Sequence, residues 1–219
     1  DTFDNFQKVF NLQVYEGFGI TETSPVCALN TIGLPPIKNS IGKPLKNVQL
    51  RIVDENYCDC GIDTPGELLI KGPNVMRGYL DDEQATNDAM IDGWYKSGDI
   101  AKKDAAGNYY IVDRIKDMII VNGLNVYPAE IEKHIIKFTG VLETAVIGVS
   151  DKRHGEKIIA FLVIDKTKEF DKNELQKYLK TKLAHYKIPD HFIIVDELPK
   201  SAIGKILKKD LRKNIHNYL

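Results

Sequence analysis

The chain has 219 residues, with 30 Lys and Arg against 31 Asp and Glu, and 43% of its residues are hydrophobic. That composition suits a globular protein with a sizeable core and one or two domains. A net charge of −1 excludes a global electrostatic pull toward nucleic acid. No apolar run approaches the ~20 residues of a membrane span, and the opening DTFDNFQKVF lacks the basic and apolar regions of a signal peptide. Cys27, Cys58 and Cys60 form an odd set without the further Cys or His ligands of a zinc site, which points to free thiols in a reducing cytoplasm.

In chain order, VQLRIVD (residues 48–54) alternates apolar and polar side chains over its first half, as a half-buried strand does. GELLIKG (66–72) is a second strand bracketed by glycines, and DDEQATNDAM (81–90) is a short helix with Asp caps. DAAGNYYIVDR pairs a Gly-Asn turn with a strand over 109–112. A domain boundary falls at Arg114–Asp117. Beyond it, MIIV (118–121) is a strand, Asn122-Gly123 a hairpin turn, and Pro128 the first position of a helix whose Ile131, Ile135 and Phe138 share one stripe. Strands follow over 143–149 and 157–164. Asp171 and Glu174 open a helix running to Leu183, a strand follows over 191–195, and a basic amphipathic helix spans 206–215. The fold class is α+β: a β-rich part followed by a small α+β part with a short sheet flanked by helices.

Four stretches carry chemistry. In YEGFGITET, two glycines around Phe18 let backbone approach a flat ligand. Thr21 and Glu22 then offer a hydroxyl for a phosphate and a carboxylate for magnesium. GWYKSGD ends in Asp99, an acceptor-only group able to hold two vicinal sugar hydroxyls. DRIKD packs charges at the domain break, and LPKSAIGK is a loop delivering the Lys205 ammonium to a carboxylate or phosphate. Each alone has a plainer reading: a tight turn, a cap, a solvated lysine, or an Arg114 paired with a neighbouring Asp on the surface. Their order and combination favour the functional one.

EGFGITET, GELLIKGPNVMRGY, GWYKSGD, DRIKDMIIVNGLNVYPAEIE and LPKSAIGKILKKDLR together resemble the C-terminal part of an adenylate-forming enzyme, most of all a long-chain fatty acid–CoA ligase. The resemblance implies an enzyme that makes an acyl-adenylate from a fatty acid and Mg-ATP, then passes the acyl group to coenzyme A and releases AMP. It implies that Phe18 and Gly19 meet adenine, that Thr21 contacts phosphate oxygens and that Glu22 binds Mg2+. Asp99 and Arg114 would hold the ribose, and Lys205 would bridge the acyl carboxylate and the α-phosphate. Residues 1–115 would be the C-terminal piece of the large AMP-binding domain. Residues 116–219 would be a mobile lid turning about Lys116, with Gly123 lining the pantetheine channel in the thioester step. The family's phosphate-binding loop, rich in Ser, Thr and Gly, is absent, as is the acyl tunnel. The chain is therefore expected to be a fragment, inactive alone, whose first strand pairs with a sheet outside it. The implied setting is the cytoplasm, with any contact to the inner face of the membrane made through the absent N-terminal part. Nothing in the residues speaks to oligomeric state.

Two further readings stand beside this one. One is another adenylate-forming enzyme, with an aryl or amino acid substrate or a carrier-protein acceptor. The other is a non-catalytic nucleotide-binding or interaction module, in which Lys205 and Asp99 are ordinary surface residues.

Overall fold

The structure is a computed structural model that describes residues 2–218. It divides into two compact units, Asp1–Ile115 and Lys116–Leu219.

The first unit opens with a helix that the sequence reading leaves unassigned, α1 (Thr2–Phe10). Phe6 and Phe10, four residues apart on it, bring their ring centroids to 4.7 Å. Three short strands, β1 (Gly17–Gly19), β2 (Val26–Leu29) and β3 (Lys43–Pro44), form one antiparallel sheet. β1 is an edge strand of this sheet, paired with β2, and residues 11–16 form no strand.

A second sheet holds β4 (Gln49–Val53), β5 (Gly66–Lys71), β6 (Met90–Ile91), β7 (Trp94–Lys103) and β8 (Tyr109–Arg114), in the order β4-β5-β7-β6 with β8 also on β7. The alternation in VQLRIVD is visible as buried Leu50 and Ile52 either side of half-buried Arg51. Cys27 and Ala28 of the small sheet pack with Leu50, Ile52, Leu68, Ile70 and Ala101 of the large one. Tyr109 joins them, its hydroxyl donating to the Leu50 carbonyl at 3.0 Å. The helix α2 (Glu83–Ala89) is capped by Asp82, whose carboxylate accepts the Ala85 amide. The β7–β8 turn is organised by Asp104 rather than by Gly-Asn alone: its carboxylate accepts the Asn108 backbone and side-chain N–H groups. Those bonds hold the Asp104 carboxyl down at about 2.

The second unit is a five-stranded mixed sheet. β9 (Ile119–Val121) and β10 (Leu124–Val126) form the Asn-Gly hairpin, and β11 (Val141–Asp151) and β12 (Gly155–Ile164) form a long one. β13 (His191–Ile194) lies parallel to β12. β12 alternates between two cores. Ile158, Ala160 and Leu162 face α3 (Pro128–Ile135) and α4 (Lys172–Lys180) through Ile131, Ile135, Leu175 and Leu179. Ile159 and Phe161 face Leu198 and Leu211, the latter on α5 (Lys208–Lys213). Covering both faces explains why KIIAFLVI reads as a continuous apolar run. Pro128 is at the helix start as expected. α4 ends at Lys180, three residues short of the expected end, yet Leu183 still packs into the same core. Asp171 is its cap, taking the Asn173 amide at 2.7 Å. The last helix is shorter than its amphipathic pattern, six residues followed by a 3-10 turn over Ile215–Asn217.

Candidate functional site

Phe18 sits at the centre of β1, opposite Ala28, with part of its ring packed on the core and part left open. The two glycines beside it first serve the chain itself. A Cβ on Gly19 would fall 1.7 Å from the Pro25 carbonyl oxygen, so only glycine lets the loop fold back here. Thr21–Thr23 form a 3-10 turn locked from inside by Thr23. The Thr23 hydroxyl is buried, accepts the Ile20 amide at 3.2 Å and lies 3.0 Å from the Ile20 and Pro25 carbonyls. This lock leaves Thr21 exposed and Glu22 half-buried. The Glu22 carboxylate accepts a hydrogen bond from the Tyr79 hydroxyl at 2.9 Å. Burial, then the Tyr79 hydroxyl and the Glu22 charge, push the pKa of the neighbouring Tyr95 up. Tyr79 and Tyr95 lie within GELLIKGPNVMRGY and GWYKSGD, but a Tyr in a loop or strand gives no spacing signal that would assign it a role.

Asp99 is 7% exposed on β7, directly after Gly98 at φ +70°. Its cross-strand partner on β8 is Arg114, whose Nε lies 3.6 Å from the Asp99 carboxylate, so the sheet brings these two candidates together. The Asp99 amide donates to the Ser97 hydroxyl at 3.1 Å. On β2, the buried Cys27 thiol donates to the Phe18 carbonyl of β1 at 3.4 Å. Its pKa is pushed up to about 11 by burial, with the charge of Asp99 adding to the rise.

The candidates of the second unit stand on turns. Lys116 is exposed and is the first residue of that unit, within a 3-10 turn over Ile115–Asp117. The next residue, Asp117, is pinned to α5 by Arg212 at 2.8 Å. Asn122 (φ +51°) and Gly123 (φ +78°) make the two-residue turn between β9 and β10, and a Cβ on Gly123 would meet nothing within 4 Å.

Lys205 is exposed on a small hairpin, not a slack loop. Lys200 bridges Ile206, the Ser201 amide donates to the Lys205 carbonyl at 2.8 Å, and Gly204 takes φ +79°. Lys200 in turn fixes the hairpin to Glu143 at 2.6 Å. Glu143 pairs with Val163 near the end of β12, whereas the Asn122-Gly123 turn abuts its beginning, where Val121 bridges Gly155. The two turns are thus anchored at opposite ends of β12, at strand positions roughly 26 Å apart at ~3.3 Å per residue.

Among the described residues no group of three or more His, Cys, Asp or Glu is placed to hold a metal, and no helix is long and apolar enough to cross a membrane.

Comparison with known proteins agrees with the motif order. The family described as AMP-binding enzyme matches residues 1–80, and AMP-binding enzyme C-terminal domain matches residues 130–205. A long-chain-fatty-acid–CoA ligase of Yersinia pestis is 41% identical over 95% of the chain. A 2-succinylbenzoate–CoA ligase of Listeria monocytogenes serovar 1/2a is 40% identical over 93%. The chain spans 37% and 41% of these two relatives. The crystal structure of ATP-bound MatB from Rhodopseudomonas palustris superposes with a TM-score of 0.92 at 34% identity, over 98% of this chain and 43% of that one. This chain belongs to the AMP-binding, adenylate-forming enzymes and carries their C-terminal domain.

Proposed function

We propose that the chain is the C-terminal part of an AMP-forming acid–thiol ligase that activates a carboxylic acid with ATP and transfers the acyl group to coenzyme A. The observation that carries this reading is the placement of Lys205 and Gly123 at opposite ends of one rigid sheet. A single orientation of a lid cannot present both to one reaction centre, whereas two successive orientations can. Lys116, at the edge of the second unit, is the pivot, because Asp117 is already fastened to α5.

In the first half-reaction, a substrate carboxylate attacks the α-phosphate and two anions approach each other. The Lys205 ammonium, placed between them, lowers that barrier by electrostatic preorganisation. Asp99 accepts the ribose hydroxyls, with Arg114 holding its carboxylate from the next strand. Phe18 and Gly19 offer the adenine a surface, and Thr21 a hydroxyl for phosphate oxygens. Glu22 fits a hard cation: the Tyr79 hydroxyl uses one lone pair of the carboxylate and leaves others for Mg2+. Bound there, the ion would neutralise phosphate charge. In the second half-reaction the Asn122-Gly123 turn borders the pantetheine arm, where a side chain would intrude.

The fatty acid reading of the substrate rests on the Yersinia relative. An aryl acid is the second reading, supported by the Listeria relative at nearly equal identity. A panel of acids of both kinds, with AMP release as readout, separates them. The division of labour is tested in the full-length enzyme. Lys205→Ala should slow adenylate formation by about 100-fold, the kinetic equivalent of ~3 kcal/mol, and spare thioester formation from supplied acyl-AMP. Gly123→Leu should do the reverse. Equal loss in both half-reactions for either variant would overturn the scheme.

A further inference from the structure

The β9–β10 hairpin has two three-residue strands, and a single bridge, Val121 to Gly155, joins it to β12. Its Ile119, Val121 and Val126 are buried in the core of the unit, which anchors the strands but not their tip. The Asn122-Gly123 turn lies beyond that packing, and the neighbouring β11–β12 turn holds it through backbone and side-chain bonds.

His154 grips Asn122 at two points. Its carbonyl accepts the Asn122 amide at 2.8 Å, and its Nδ1 lies 3.0 Å from the Asn122 side-chain oxygen. That oxygen is an acceptor only, so the imidazole must carry its proton on Nδ1. Asn122 is at φ +51°, a conformation that a non-glycine residue adopts more readily when its side chain is bonded locally. His154 is itself held. The Asp151 carboxylate accepts the Arg153 amide at 2.9 Å and the His154 amide at 3.0 Å, and pairs with Lys157 at 2.8 Å. Two residues away, the Glu156 carboxylate accepts the Ile120 amide at 2.7 Å. It has room because Gly148 lies beneath it, where a Cβ would come within 2.5 Å of Glu156 Oε1. A relay thus runs from Asp151 through His154 to Asn122 and Gly123.

We propose that His154 is a positioning residue for the thioester half-reaction: its Nδ1–H, bonded to the Asn122 side chain, fixes the turn that borders the incoming thiol. The inference rests on the reading of Gly123 given above. His154 touches no reacting atom; it acts through Asn122.

The test uses the full-length enzyme and three variants. His154→Ala removes the side-chain bond but keeps the backbone bond to Asn122. Its kcat/KM for CoA with supplied acyl-AMP should fall about tenfold, the size of one such hydrogen bond, with adenylate formation unchanged. His154→Asn places an amide N–H near the position of Nδ1 and should restore most of the loss, which a general packing role would not predict. Amide hydrogen exchange at Asn122 to Leu124 should quicken in His154→Ala and return in His154→Asn, reporting the turn independently of turnover. Gly123→Leu serves as the control for the underlying reading. If Gly123→Leu blocks thioester formation while His154→Ala leaves it intact, the positioning role is overturned and the lid scheme stands. If Gly123→Leu has no effect, the scheme fails and the role of His154 falls with it. Equal loss in both half-reactions for His154→Ala also overturns the proposal.

Discussion

In the first unit the candidate residues stand on strands, or on a turn locked by a buried hydroxyl; in the second they stand on turn tips that reach into solvent. Gly19 marks the difference, although Gly98 beside Asp99 is as open as the glycines of the second unit. At Gly19 the space of a Cβ is taken by the Pro25 carbonyl 1.7 Å away, whereas at Gly123 and Gly204 nothing lies within 4 Å. The first glycine is demanded by the chain's own packing. The other two are demanded only by backbone conformation, at φ +78° and +79°. A surface that holds a nucleotide benefits from the first kind of scaffold, because its groups are fixed before the ligand arrives. On the proposed lid reading, a part that leaves and returns benefits from the second, because its tips are made inside one unit.

The sharpest break of this contrast is a pair of alanines. Gly19→Ala forces backbone apart and should cost about 3 kcal/mol of stability, seen as a lowered denaturant midpoint, with nucleotide affinity lost alongside. Gly123→Ala meets no atom and should cost only the left-handed backbone penalty, about 1 kcal/mol. Similar losses at the two sites would mean that the packing around Gly19 yields easily and that the contrast is not real. A smaller effect should follow Thr23→Val. The shape is kept, but the Ile20 amide loses its buried acceptor, at about 2 kcal/mol. Because the lock sets where Thr21 and Glu22 point, ATP affinity should weaken with it. Unchanged affinity would show that the 3-10 turn forms without the hydroxyl.

The elements that sequence alone made legible are those with a local signal. Asn-Gly between apolar runs, Pro128 at a helix start, Asp82 and Asp171 as caps, and the period-two stretch around Leu50 each carry their reason within a few residues. α1 carries a local signal as well, Phe3, Phe6, Val9 and Phe10 at helical spacing, but no Gly or Pro sets it off. The bonding partners of the candidate site stayed hidden for a different reason. Tyr79 is 57 residues from the Glu22 it bonds, and His154 is 32 from Asn122. No window of sequence joins such pairs; only the strand register does. The pairing of Asp99 with Arg114 is intermediate, since both motifs could be singled out but their cross-strand alignment follows from the β7–β8 turn.

The smallest expected effect compares two carboxylates that organise turns in the two units. Asp104 and Asp151 are each held at about 2, below the usual 3.8. The causes differ in kind. For Asp104 the largest is the Asn108 side-chain amide, followed by the Asn108 backbone N–H; for Asp151 it is the Lys157 ammonium, followed by the Arg153 amide. A carboxyl whose pKa is lower in the folded state stabilises the fold above its unfolded pKa. That contribution is lost as pH falls through the folded value, here from about 4 down to about 2. Both Asp104→Asn and Asp151→Asn should therefore flatten the decline of stability between pH 5 and pH 2, measured by urea unfolding. Salt should tell them apart. An ion pair with a solvent-exposed partner, as Lys157 is here, is screened at high ionic strength, whereas hydrogen bonds from neutral amides are affected far less. At high salt the folded-state pKa of Asp151, read by NMR titration, should climb toward its ordinary value more than that of Asp104. Equal movement of the two would assign the depression at Asp151 to its backbone amides, and the Lys157 pair would then contribute little to the turn that carries His154.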